Sequence, residues 1–163
     1  MHFARKLLII LVIAFCAHCS YYYPLLPPTL ASHFDGHGNP NGWMSKPYFF
    51  ALEGVLLGIM IAISLLMPKI LEKSPNKWIN LPNREYWLAE ERKPFTIEMI
   101  GRYHEWFSAA LLVLFIAVNQ LVFQANIVKQ PLPSGPMWTL LISFFVFVGV
   151  WLVMFYRKFR IPE

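Results

Sequence analysis

The sequence predicts an all-α membrane protein with four transmembrane helices, and three observations predict it. Only 14% of the 163 residues are charged and 57% are hydrophobic, where a soluble domain usually carries about 25% charged residues. The apolar residues gather into four runs near the length that spans a bilayer, about 20 residues. The lysines and arginines stand at the ends of those runs, a placement that orients helices in a membrane. The net charge of +5 is therefore read as membrane orientation and not as an affinity for nucleic acid. Cys16 and Cys19 are the only cysteines. Both fall inside an apolar run, which suits helix packing better than a disulfide framework. The chain reads as a single membrane domain, 1–163.

The first helix is expected at about 7–23, after Arg5 and Lys6. A basic start before an apolar core also fits a secretory signal peptide. Ala17 and Cys19 are small enough to precede a cut at Ser20, but the aromatics run on through Tyr23 and favour an uncleaved helix. Pro24, Pro27 and Pro28 end it, because proline cannot continue the hydrogen-bond ladder. A loop follows at 24–47. The second helix is expected at 48–67, interrupted only by Glu53 and closed by Pro68. Gly54, Gly58 and Ala62 recur on it at every fourth position. Small residues so spaced let another helix approach closely in lipid, which suggests a homo- or hetero-oligomer. Residues 68–96 read as an amphipathic segment lying along the headgroups, with Trp78, Tyr86 and Trp87 among its cations. Within it Asn83 is expected to cap a short helix that runs to Lys93 and stops at Pro94. Thr96 is expected to cap the third helix, at 97–124, with Glu98 near its positive end. A loop at 125–136 leads to the fourth helix, at 137–156, which Arg157, Lys158 and Arg160 follow.

With a cytoplasmic N-terminus, twelve lysines and arginines fall on the inner side and two, Lys46 and Lys129, on the outer. That bias predicts both termini in the cytoplasm of a bacterial inner membrane, 24–47 facing outward and 68–96 facing inward. The outward loop carries the one long polar run on its side of the membrane, His33 to Lys46. Gly36, Gly38 and Gly42, with Asn39-Pro40 and Asn41-Gly42, predict successive turns and argue against helix or strand. His33, Asp35 and His37 alternate, and in an extended backbone alternate side chains share a face. Two imidazoles and a carboxylate suit a divalent metal such as zinc. The plainer reading is a solvated loop with Trp43 anchored at the interface, and it is the better supported of the two.

Inside the apolar spans, His18, Glu53, Asn119 and Gln120 all fall near the outer end. A lone carboxylate in lipid is costly, so Glu53 is expected to be protonated, paired or turned into the bundle, with His18 a candidate partner. These groups form either a small polar pocket under the outer loop or a clamp that fixes helix packing. On the third helix His104, Ser108 and Asn119 share a side, and His104 is expected to meet headgroups at the inner boundary. The run HEWFS begins like the zinc-protease HExxH but lacks the second histidine. No phosphate-binding loop, nucleophile elbow or haem-attachment motif is present in the sequence.

The stretch YPLLPPTLASHFDGHGNPNGWMSK resembles a bacterial membrane domain of unknown function. That domain also forms the N-terminal part of SdpI-type immunity and signalling proteins. The pattern falls on Leu26-Pro27, His33-Phe34-Asp35, Gly38, Pro40, Gly42-Trp43 and Ser45-Lys46. INLPNREYWLAEER is similar to the cytoplasmic segment of short four-helix relatives, with Ala89-Glu90-Glu91 where those often have Pro-Glu before the last arginine. The resemblance implies resistance to a secreted peptide, or signalling at the membrane. It favours His33, Asp35, Trp43 and Lys46 as shared residues and leaves His37 outside the pattern. The leading expectation is a non-enzymatic protein that binds an extracytoplasmic peptide or small ligand through His33, Asp35, Trp43, Lys46, His18, Glu53 and Asn119. The alternatives are a metal-dependent membrane enzyme using His33 and Asp35, with His37 as a third ligand and Glu53 as ligand or base, and an accessory subunit docked through the glycine face.

Overall fold

A computed structural model describes residues 3–161. It contains α1 (Phe3–Tyr22), a hairpin of β1 (Thr29–Phe34) and β2 (Pro40–Ser45), α2 (Lys46–Lys73), the single-turn α3 (Arg84–Trp87), α4 (Lys93–Val128) and α5 (Ser134–Lys158). The helices α1, α2, α4 and α5 are each long and apolar enough to cross a membrane.

The long helix α4 is the spine. Its 36 residues, at about 1.5 Å each, span roughly 54 Å, against a hydrocarbon core of about 30 Å. It can therefore cross a bilayer and still support structure at both ends. Helix α1 runs parallel to it, with Arg5 meeting Glu105 and His18 meeting Gln120. Helix α2 runs antiparallel, with Glu53 meeting Asn119 and Ser64 meeting His104. So does α5, where the Trp151 indole donates to the Tyr103 carbonyl. Between the ends, Leu8, Phe15, Met60, Ala109 and Leu112 form the packed core. Helix α5 buries no residue, and Trp138, Phe145 and Val146 stand exposed on it. Such a surface is costly in water and free in lipid.

Several expected boundaries move, each for a local reason. Pro68 does not close α2, which continues to Lys73. Its ring lies against α4 at Gly101, 3.6 Å from where a Cβ would stand. Pro94 does not stop a helix but starts one. It stands in the first turn of α4, where proline's missing N–H has no partner to lose. Thr96 is consequently inside α4 rather than at its cap, and its hydroxyl donates to the Trp87 carbonyl at 2.7 Å. Asn83 is left-handed and makes no side-chain cap, and α3 is only four residues long. Residues 74–92 are mostly non-helical. They fold around Ile79, Leu81, Trp87 and Leu88, which enclose Phe159 from beyond α5. The Trp87 indole and the Asn83 amide both donate to the Phe159 carbonyl, at 2.9 Å each.

The largest correction is the hairpin, because turns alone were expected at 33–46. The glycines do not break the strands, since Gly36 and Gly38 lie in the connection and only Gly42 lies within β2. Gly42 sits opposite His33, and a Cβ there would come within 3.0 Å of the His33 Cβ. The glycine accommodates the histidine across the ladder, where the register shifts on both sides of His33, with Ser32 the extra residue on β1 before it and Asn41 the extra residue on β2 after it.

Candidate binding site at the docked hairpin

The hairpin is fastened to the end of α4 by one side chain. Asn126, buried, accepts from the Ala31 N–H at 2.7 Å and donates to the Ala31 carbonyl at 3.0 Å. Its second N–H reaches the Val122 carbonyl one turn back. The amide thus pairs with the outer edge of β1 as a neighbouring strand would. Beneath it, Leu30, Phe49, Val122, Phe123 and Leu132 close an apolar core.

This contact fixes the polarity of the ladder. In an antiparallel pair, residues whose N–H and C=O point between the strands alternate with residues whose groups point away. Ala31 points away from β2, toward Asn126, and its partner across the ladder is Trp43. The Trp43 N–H and C=O therefore point away from β1, along the outer edge of β2. The 2.8 Å bond from the Lys46 N–H to the Pro28 carbonyl fits the same alternation. Among the described residues β2 pairs only with β1. The side chain of Trp43 is 61% exposed.

The turn is held from both sides. One Asp35 oxygen accepts from the backbone N–H groups of His37 and Asn39, and the other accepts from the Asn39 amide. The Asn39 N–H, then its side-chain amide, hold the Asp35 carboxyl below the usual carboxylate range, with smaller help from His37. Gly38, at φ 87°, presses on the loop between α4 and α5, and its carbonyl accepts from the Leu132 N–H at 2.8 Å. Lys46 donates to the carbonyls of Tyr23 and Leu26 and lies over the Tyr23 ring. It ties off the end of α1.

The expected site residues thus separate. His33 and Asp35 line a cleft of about 350 Å³ on one flank of the hairpin, floored by Val122 and Leu132. Trp43 lines a second cleft, of about 330 Å³, on the other flank, with Asn126 and Lys129. Lys46 and Asp35 serve the hairpin's own architecture. Among the described residues no three His, Cys, Asp or Glu side chains gather to hold a metal. The structure does not bring His33, Asp35 and His37 together as ligands, because Asp35 is turned into its own turn.

Deeper in the same end of the bundle, Glu53 pairs with Asn119 at 3.0 Å and not with His18. His18 meets Gln120 at 3.0 Å, stacks on Phe123, and leaves its Nδ1 buried without a partner. Gln120 and Gln124 both donate to the Tyr22 hydroxyl. Glu53 with Asn119 joins α2 to α4, and His18 with Gln120 joins α1 to α4. Each pair clamps a helix to the spine. His104 does not stand free among headgroups, since it bonds Ser64 and Ser108 between α2 and α4.

Sequence reasoning missed Asn126 and the partnership of Arg5 with Glu105. Asn126 lies seven residues after Asn119, on the same helical face, but fell in an expected loop. The fold and site define a multi-pass membrane protein of four apolar helices with a hairpin docked at one end. Residues 8–57 match the family described as a domain of unknown function, DUF1648. The match takes in most of α1, the hairpin, and α2 as far as Glu53 and Leu57, and it excludes α4. No curated protein and no solved structure matches the chain.

Proposed function

We propose that this protein sits in a bacterial inner membrane with both termini cytoplasmic, and that its outward hairpin binds an extended segment of an extracytoplasmic peptide. The observation that carries the reading is the free edge of β2. Asn126 occupies the edge of β1, while Trp43 offers a backbone donor and acceptor outward beside an exposed indole. An extended peptide adds to such an edge through main-chain bonds, and its side chains take the flanking clefts. The cation bias supports the orientation. The resemblance to SdpI-type immunity and signalling proteins supports a secreted peptide as ligand. Binding followed by signalling or neutralisation needs no catalytic group, and the hairpin offers a surface rather than a reaction centre.

A deletion strain, complemented and challenged with secreted peptide toxins and envelope stress, tests this. Trp43→Pro removes the outward N–H without touching a ladder bond, so it should abolish protection at unchanged membrane levels. Trp43→Ala should weaken protection, and His33→Ala should do so through the flanking cleft. Full protection by Trp43→Pro would remove the edge from consideration. A second reading, an accessory subunit, is favoured by the exposure of Gly54, Gly58 and Ala62, with open space above both glycines. Recovery of a lone monomer in mild detergent would count against it.

A further inference from the structure

At the end of the bundle away from the hairpin, Glu105 is only 3% exposed. Its Oε1 accepts from the Arg5 guanidinium at 2.7 Å. Its Oε2 is buried and has no donor. A buried carboxylate oxygen without a hydrogen bond is costly, and a ligand supplying an N–H removes that cost. Two hollows meet at this pair. One is an apolar crevice of about 310 Å³ between α1 and α2, walled by Leu8, Val12, Ile61 and Leu65. It exists because both helices pack on α4 and little on each other. The other is a cavity of about 260 Å³ whose walls carry both signs, with Lys69 and Arg102 beside Glu72 and Glu98. Arg5 and Glu105 line both hollows.

We infer that this junction is a site for one phospholipid whose head group carries a protonated primary amine. The crevice takes an acyl chain, because it is apolar and lies between membrane-spanning helices. Lys69 and Arg102 take the phosphate. The ammonium approaches the Glu105 carboxylate where that residue lines both hollows, and a rotation of the carboxyl brings Oε2 to its N–H. A quaternary ammonium has the charge but no N–H to give, and a purely anionic head would meet the carboxylates with no cation of its own. Arg5 stands in the first turn of α1, the level at which head groups lie.

Native mass spectrometry of the full chain in detergent tests this, with equimolar phosphatidylethanolamine, phosphatidylcholine and phosphatidylglycerol of identical chains. The ethanolamine lipid should exceed the choline lipid roughly tenfold, the worth of one charge-assisted hydrogen bond. Glu105→Gln should erase most of that preference. Leu65→Trp, a change at an exposed wall of the crevice, should lower all three adducts alike. The unaltered chain gives a test that needs no variant. Binding should persist through the mono- and dimethylated amines, which keep an N–H, and drop at the trimethylated one. Equal ethanolamine and choline adducts, a dominant phosphatidylglycerol adduct, or a preference that survives Glu105→Gln would each overturn the inference.

Discussion

At Gly38 one added carbon decides whether the hairpin can dock. A Cβ there would lie 2.0 Å from the Leu132 carbonyl oxygen, and the residue's φ of 87° is already one that side chains disfavour. Relief requires the turn to lift off the loop, which breaks the bond from the Leu132 N–H. Gly38→Ala should therefore destabilise the fold by about 2 kcal/mol or more, read as a lowered unfolding midpoint in detergent. Gly36→Ala, with open space around it, should change the midpoint little. Asp35 sets the pH response of the same turn. Its folded-state acidity is raised by bonds that only the carboxylate accepts, so its contribution is present above the unfolded value, about 3.9. That contribution is lost as pH falls through the lower, folded value. The fluorescence of the hairpin, with Trp43 as reporter, should stay flat from neutral pH to about 5 and change only in stronger acid. Asp35→Asn should remove the acid transition. A transition already complete above pH 5 would overturn the assignment to Asp35.

The elements are joined to α4 by a few polar contacts each, set in apolar surroundings, and Asn126 is the most demanding of them. It satisfies both backbone groups of Ala31, and its loss leaves a buried donor and acceptor unpaired. Asn126→Ala should cost about 2–4 kcal/mol and deprotect the Ala31 amide in hydrogen exchange, while α1 and α5 keep their protection. Asn126→Asp keeps the acceptor and loses the donor, so it should fall between. Deprotection spread evenly over the molecule would mean that Asn126 supports the whole fold rather than the hairpin. The four spans were legible in the sequence because apolar length is a one-dimensional signal. The strands were not. The alternation of β1 is broken by its extra residue, Ser32, and the glycines that suggested turns serve in part to fit the histidine. Glu53 and Asn119 were visible as costly groups in lipid, but which of His18 and Asn119 would meet Glu53 depends on how α1 and α2 rotate about α4. Proline misled twice, at Pro68 and Pro94, because its meaning depends on whether it stands early or late in a helix.

For the molecule as a whole, helix direction gathers the cations at one end. The contacts of α1, α2 and α5 along α4 place Arg5, the segment from Lys69 to Arg102, and Arg157 to Arg160 together, opposite Lys46 and Lys129. The folded segment 74–92 and the hairpin therefore lie in different compartments whenever α4 crosses the bilayer, and the orientation proposed above from the cation bias puts the former in the cytoplasm. Single cysteines read this directly. In a Cys16→Ala, Cys19→Ala background, Asn41→Cys should react with a membrane-impermeant thiol reagent in intact cells. Lys77→Cys should react only after permeabilisation. Both positions are exposed, so a failure to react reflects compartment and not burial. The reverse pattern would put the free edge of β2 in the cytoplasm and end the case for an extracytoplasmic peptide. It would leave the fold and the amine-lipid site intact, since both depend on contacts to α4 and not on which leaflet holds Glu105.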